Sequence, residues 1–194
     1  MNLLLALTQW AALIVVRVFL IVLGFAVVAA AIPFRVPASS LSDGRAIVNL
    51  PRWAWLWGND FDGLTGDKRG WWAANTAFGW PVDSFCAMWW WAAIRNPVNN
   101  LRLVPGISCP VGQCLITYRG HYAVEDKPGL GGWQLVTAKR HGGRSRWYGF
   151  YLVHEWSATR ALVIRIGYKI KPGHAGSDEP AKGMTFKLNP WKEI

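Results

Sequence analysis

The chain has 194 residues, with 21 Lys and Arg against 11 Asp and Glu, a net charge of +10, and 14 tryptophans. It contains no internal repeat, heptad pattern or low-complexity tract, which excludes solenoids, coiled coils and disordered arrays. So much positive charge attracts polyanions, and the 160 residues that follow an apolar N-terminal segment suffice for one domain with one core.

Residues 1–34 hold a single charged side chain, Arg17, and Val18–Phe34 is a run of 17 uncharged residues. Trp10–Phe34 is 25 residues long, more than enough at about 1.5 Å per residue for a hydrocarbon core of roughly 30 Å. We read residues 1–34 as a tilted transmembrane anchor with Trp10 at the interface. Arg17 then snorkels back to the headgroups, or costs roughly 2.5–3.5 kcal/mol at the centre. A cleaved signal peptide fits less well. Ala29-Ala30-Ala31 suits a cleavage site, but residues 2–16 lack a basic n-region. Arg35, Arg45 and Arg52 follow the span, so the positive-inside rule predicts a single-pass protein with its C-terminal domain in the cytoplasm. An odd set of cysteines, Cys86, Cys109 and Cys114, suits a reducing compartment.

Residues 35–52 read as a linker, rich in Pro, Ser and Gly. Residues 53–105 form a Trp-rich, membrane-proximal segment. Nine tryptophans lie between Trp53 and Trp91, and indole favours the headgroup layer. The expected interfacial set is Trp53, Trp55, Trp57, Trp71, Trp72, Trp89, Trp90 and Trp91. Trp53, Trp55 and Trp57 alternate with period two, which predicts an extended piece. Asp83 is placed to cap a short helix running to Arg95, too short to cross a bilayer and ended by Asn96-Pro97.

Residues 106–172 predict a basic antiparallel β domain. Its strands are expected at 115–118, 122–124, 133–139, 146–156 and 160–171. In the last, Leu162, Ile164, Ile166, Tyr168 and Ile170 alternate with Arg165, Lys169 and Lys171, which predicts a basic outer face. Lys139, Arg140, Arg144, Arg146, Arg165, Lys169 and Lys171 are the expected contacts to an anionic partner. The anionic leaflet is favoured over nucleic acid, and a protein partner remains unidentified. The tail, 173–194, reads as irregular. The predicted fold is thus α+β: a transmembrane helix, a Trp-rich interfacial helix and a mostly antiparallel β-sheet domain.

No cofactor is expected from motifs. Asn59, Asp60, Asp62 and Asp67 offer oxygens suited to Ca²⁺ or Mg²⁺, yet aligning Gly63 with the EF-hand glycine puts Arg69 where a bidentate Glu is needed. Asp and Asn beside Gly are also ordinary turn residues. His121, His141, His154 and His174 show no metal-binding spacing, and there is no nucleophile elbow, P-loop or dinucleotide fingerprint. Gly142-Gly143 among Arg and Lys is either a phosphate cradle or a solvated hairpin tip.

The apolar N-terminus, Trp-Leu-Trp-Gly-Asn-Asp-Phe-Asp-Gly at 55–63, the aromatic helix and Arg-Asn-Pro at 95–97 resemble a group of small, uncharacterised bacteriophage-encoded membrane-anchored proteins. The resemblance covers residues 1–105. It implies a context and no catalytic residues: a phage accessory or virion-associated protein at the host inner membrane. The leading expectation is a non-enzymatic accessory protein on the cytoplasmic leaflet, of the superinfection-exclusion or anti-defence type. The alternatives are a virion or assembly component, and a metal-dependent enzyme on lipid or envelope phosphates.

Overall fold

The computed structural model describes residues 3–38, 47–66, 70–143, 146–174 and 183–194, and its architecture is α+β. Two compact units divide the chain, one of residues 1–14 and 105–194, the other of residues 15–104. Helix α1, Leu3–Ala31, gives its first turns to one unit and the rest to the other.

In the unit of residues 15–104, α1 ends in a 3-10 turn, Ile32–Phe34. The expected linker holds a small sheet instead: β1, Val36–Ala38, pairs antiparallel with β2, Ile47–Asn49. Pro37 biases Val36 away from helix, and Ile47 and Asn49 are buried, so β2 is seated on packed structure while β1 is largely exposed. Arg52–Trp57 is a 3-10 helix, not the extended piece that the alternating tryptophans predict. Pro51 sets its start, accepting from the Ala54 amide at 2.9 Å, and the fully buried Ala54 ties the turn to the core. A short helix α2, Trp71–Ala74, precedes α3, Phe85–Trp89, which continues as a π-helical turn, Trp90–Arg95. Ser84, rather than Asp83, caps α3: its Oγ accepts from the Ala87 amide. Val28, Ala31 and Ile32 from the end of α1 pack with Leu50, Ala54, Leu64, Met88, Ala92 and Ala93. A second cluster joins Trp72, Ala87 and Trp91.

The other unit is a five-stranded antiparallel meander. Its strands are β3 (Cys114–Gly120), β4 (Gly132–Arg140), β5 (Arg146–Ser157), β6 (Arg160–Tyr168) and β7 (Met184–Glu193), in that spatial order. Four of the expected strands are present, but residues 122–124 are not one. β7 lies in the tail read as irregular. The Gly and Pro between Pro172 and Gly183 hid the alternation of Met184, Phe186 and Leu188.

The predicted facing of β6 is reversed from Ala161 to Ile166, while Tyr168 and Ile170 are buried as expected. Ala161 and Val163 point to the core, with Tyr151, Val153 and Val124, while Leu162, Ile164 and Ile166 are only half-buried. Small side chains suit the inner face, where the Val124 segment covers the sheet. Arg165 shares that face and lies over the Tyr151 ring, 3.9 Å from its centroid. Gly149 and Gly167 face each other across β5 and β6. A Cβ on either would strike the backbone carbonyl of Tyr168 or Tyr148, and Gly167 has φ +92°, so this close crossing needs glycine.

Leu64 is fully buried and Leu115 is exposed. Leu64→Ala is expected to cost about 2–5 kcal/mol in urea unfolding, and Leu115→Ala to stay within about 0.5 kcal/mol.

Candidate membrane-contact surface

Helix α1 is apolar on every side, and its two sides have different neighbours. Ala6, Trp10, Leu13, Ile14, Arg17, Ile21, Gly24, Val28 and Ala31, spaced mostly by threes and fours, are buried or half-buried. Leu4, Val15, Val18, Phe19, Val22 and Leu23 are exposed, Phe19 at 68%. Arg17 belongs to the protein-facing side. It does not snorkel along the exposed one, and it has an interaction partner.

Two indoles fasten α1 within the unit of residues 15–104. Trp57 Nε1 donates to the Leu20 carbonyl at 2.8 Å, and Trp89 Nε1 donates to the Phe25 carbonyl at 2.9 Å. Gly24 makes room, since a Cβ there would lie 2.7 Å from Trp57 Cδ1. The eight tryptophans expected at an interface therefore separate. Trp53, Trp55 and Trp71 are exposed, and Trp57, Trp89 and Trp90 are half-buried. Trp72 and Trp91 are core residues, 2% and 4% exposed, with ring centroids 5.0 Å apart. Trp91 Nε1 donates to the Gly63 carbonyl. Arg95 lies over the exposed Trp71 ring.

The acidic loop is a hydrogen-bonded knot. Asp60 Oδ1 accepts from Asn49 Nδ2 at 2.7 Å and Asn100 Nδ2 at 2.9 Å, and Asp60 Oδ2 accepts from Trp55 Nε1. Asn100, fully buried, also donates to the Trp55 carbonyl and accepts from the Asp60 amide. Asn59 Oδ1 caps the turn by accepting from the Phe61 and Asp62 amides, and its Nδ2 donates to Asp62. Asn59 Oδ1, both Asp60 carboxylate oxygens and Asp62 Oδ2 thus serve protein donors, and Asp67 lies outside the described residues. Among the described residues no group of three or more metal-binding side chains occurs. Asn49 and Asn100, which hold the loop, are not legible in the sequence. A buried amide in a polar setting carries no periodic signal.

In the sheet, the face opposite the core is apolar. Following the register, it carries Trp133 and Leu135 on β4, Phe150 and Leu152 on β5, Leu162, Ile164 and Ile166 on β6, and Phe186 and Leu188 on β7. Phe186 and Leu188 are 60% and 59% exposed. One end of this face is covered. Tyr148, Tyr168 and Met184 are buried there, Trp10 meets the Tyr148 ring edge-on, and the Tyr168 hydroxyl donates to the Ile107 carbonyl at 2.7 Å. Burial pushes the Tyr148 hydroxyl up to about 12.

The basic residues expected to meet an anionic partner divide among three places. Lys139 and Arg146 stand directly opposite each other on the apolar face, with Arg119 on β3 sharing it. No carboxylate lies on that face between Leu162 and Ile166 or at their partners. Arg140 points the other way and bonds Gln113. Arg165, Lys169 and Lys171 line an open cavity with His174 and Gln134 on the core side, and Lys171 pairs with Glu125 at 2.8 Å. Arg144 lies outside the described residues. His154 and Glu155 point to opposite faces, and Glu155 accepts from the Gly131 amide. Cys86, Cys109 and Cys114 are all free, and burial, with Cys114 beside it, pushes the Cys109 thiol upward.

The model of a family of unknown function, DUF7338, matches residues 1–194. The chain belongs to this family. No curated protein and no solved structure matches it. Family membership therefore adds no substrate or partner to the geometry. One N-terminal helix is long and apolar enough to span a membrane.

Two outcomes test the site. Asn100→Ala leaves the Asp60 amide without its acceptor, while the Trp55 carbonyl keeps the Gly58 amide, and chemical denaturation is expected to show a loss of about 1–3 kcal/mol. The Glu125 carboxyl is held near 2, first by its hydrogen bond from Lys171 and then by Lys127. A depressed carboxylate stabilises the fold above its unfolded pKa of about 4.3, and that contribution fades as pH falls toward 2. NMR titration is expected to place the Glu125 midpoint near 2, and Lys171→Ala to move it upward.

Proposed function

We propose that the protein is a non-enzymatic, membrane-anchored accessory protein held at the cytoplasmic face of a bacterial inner membrane, where it binds an anionic lipid surface and a protein partner. The single observation that carries this reading is the outward side of α1. Leu4, Val15, Val18, Phe19, Val22 and Leu23 form an exposed, uncharged surface, which in water is an aggregation liability and in lipid is matched. The exposed apolar sheet face supports it, with Arg119, Lys139 and Arg146 available to anionic headgroups. Arg35 and Arg52 follow α1 and suit the anionic cytoplasmic leaflet. The phage context, with a role such as superinfection exclusion or anti-defence, rests on the resemblance of residues 55–63 and 95–97.

Removing α1 is a poor test, because Val28, Ala31 and Ile32 belong to the core of their unit. Lysines on its outward side leave that core intact. Phe19→Lys with Val22→Lys in the full chain is expected to weaken flotation with vesicles of phosphatidylethanolamine and phosphatidylglycerol by roughly tenfold or more, since 1.4 kcal/mol is a factor of ten. The melting temperature in detergent is expected to stay unchanged. Unaltered flotation overturns the reading.

A further inference from the structure

We infer that α1 lies along the bilayer surface, its outward side among the acyl chains of one leaflet, instead of crossing the membrane. The inference rests on the membrane reading above and specifies how the anchor is seated. A crossing helix is clad by lipid, or by other membrane-embedded protein, through its central turns. In α1 the turns from Leu20 onward are clad on one side by a unit whose apolar contact layer backs onto buried polar groups. Trp57 bonds the Leu20 carbonyl and packs on Gly24, and Trp89 bonds the Phe25 carbonyl. The same unit holds the buried amides of Asn49, Asn59 and Asn100, the carboxylates of Asp60 and Asp62, and Arg102. Such groups have no place at hydrocarbon depth.

Charge placement agrees. Arg17 is the middle residue of the 29-residue helix, where a crossing would put it at the bilayer centre, and it sits on the protein-facing side. The outward side carries no charge at all. Exposed Trp53 and Trp71, with Arg35 and Arg52, supply the indoles and cations that match an anionic headgroup layer. Surface-lying helices usually pair an apolar side with a charged one. Here the second side is apolar because it meets protein, so a bilayer beneath and a protein core above account for the composition together.

Site-directed nitroxide labelling tests the seat. Thr8→Cys, Phe19→Cys and Ala30→Cys lie on the outward side and are labelled one at a time in the full chain carrying Cys86→Ser. Each is reconstituted with vesicles of phosphatidylethanolamine and phosphatidylglycerol, and depth is read from relaxation by oxygen against a water-soluble nickel chelate. The expected result is one shallow depth for all three, about 5–10 Å into the boundary of the headgroups and acyl chains. Val22→Cys repeats the Phe19 reading should that variant fold poorly. Phe19 near the centre, about 15 Å deep, with Thr8 and Ala30 at opposite interfaces, overturns the seat in favour of a crossing. Labels shielded from both relaxants and broadened by one another overturn it in favour of a second copy. Loss of flotation by the Cys86→Ser chain itself brings down the membrane reading, a different failure from either.

Discussion

An indole N–H taken out of water needs an acceptor, and for Trp57 and Trp89 the backbone of α1 is that acceptor. Trp57 and Trp89 reach the Leu20 and Phe25 carbonyls, which an α-helix already employs in its own ladder. Carbonyl oxygens have two lone pairs, so the second bond is available without breaking the first. Its geometric condition is that the ring approach the helix closely, and Gly24 meets that condition. Around these two anchors the apolar cluster from Val28 to Ala93 closes. A helix side that packs protein and a side that faces outward therefore come to share one composition.

That sharing decides what the sequence can tell. The presence of α1, its apolar character and the meander were legible, because long apolar runs and period-two alternation survive without tertiary information. The neighbours of each side of α1 were not legible, since Val18 and Ile21 read alike although one is exposed and the other packed. The tryptophans show the same limit. Trp89, Trp90 and Trp91 are consecutive, yet they meet Phe25, Trp80 and Trp72 in turn. The π-helical turn beginning at Trp90 helps to divide them, and sequence pattern does not announce it. For β6 the alternation is legible in the sequence and its direction is not. Hydrophobic bulk suggested the inner face, but the covering Val124 segment leaves room only for Ala161 and Val163.

The two units expose apolar surface by different devices. In one it is a helix side; in the other it is a sheet face ringed by Arg119, Lys139 and Arg146. Lys139 and Arg146 are direct neighbours across β4 and β5, an arrangement that like charges disfavour unless an anion or salt offsets it. The acidic loop performs the reverse service. Its Asp60 and Asp62 carboxylates accept from three asparagines and close a turn, so the loop stabilises its unit.

The clustered rings also have an optical consequence. Trp72 and Trp91 lie 5.0 Å apart, and Phe78, Trp80 and Trp90 form a second group with centroids 5.0 to 6.0 Å apart. Chromophores that close exchange excitation and couple their transitions, so absorbed light migrates among the rings before emission. The near-ultraviolet dichroism of this protein therefore carries a strong contribution from the packing of residues 71–91, beside that of the Trp156–Trp191 pair on the sheet, and loss of that contribution would mark the loosening of those rings while the strands persist.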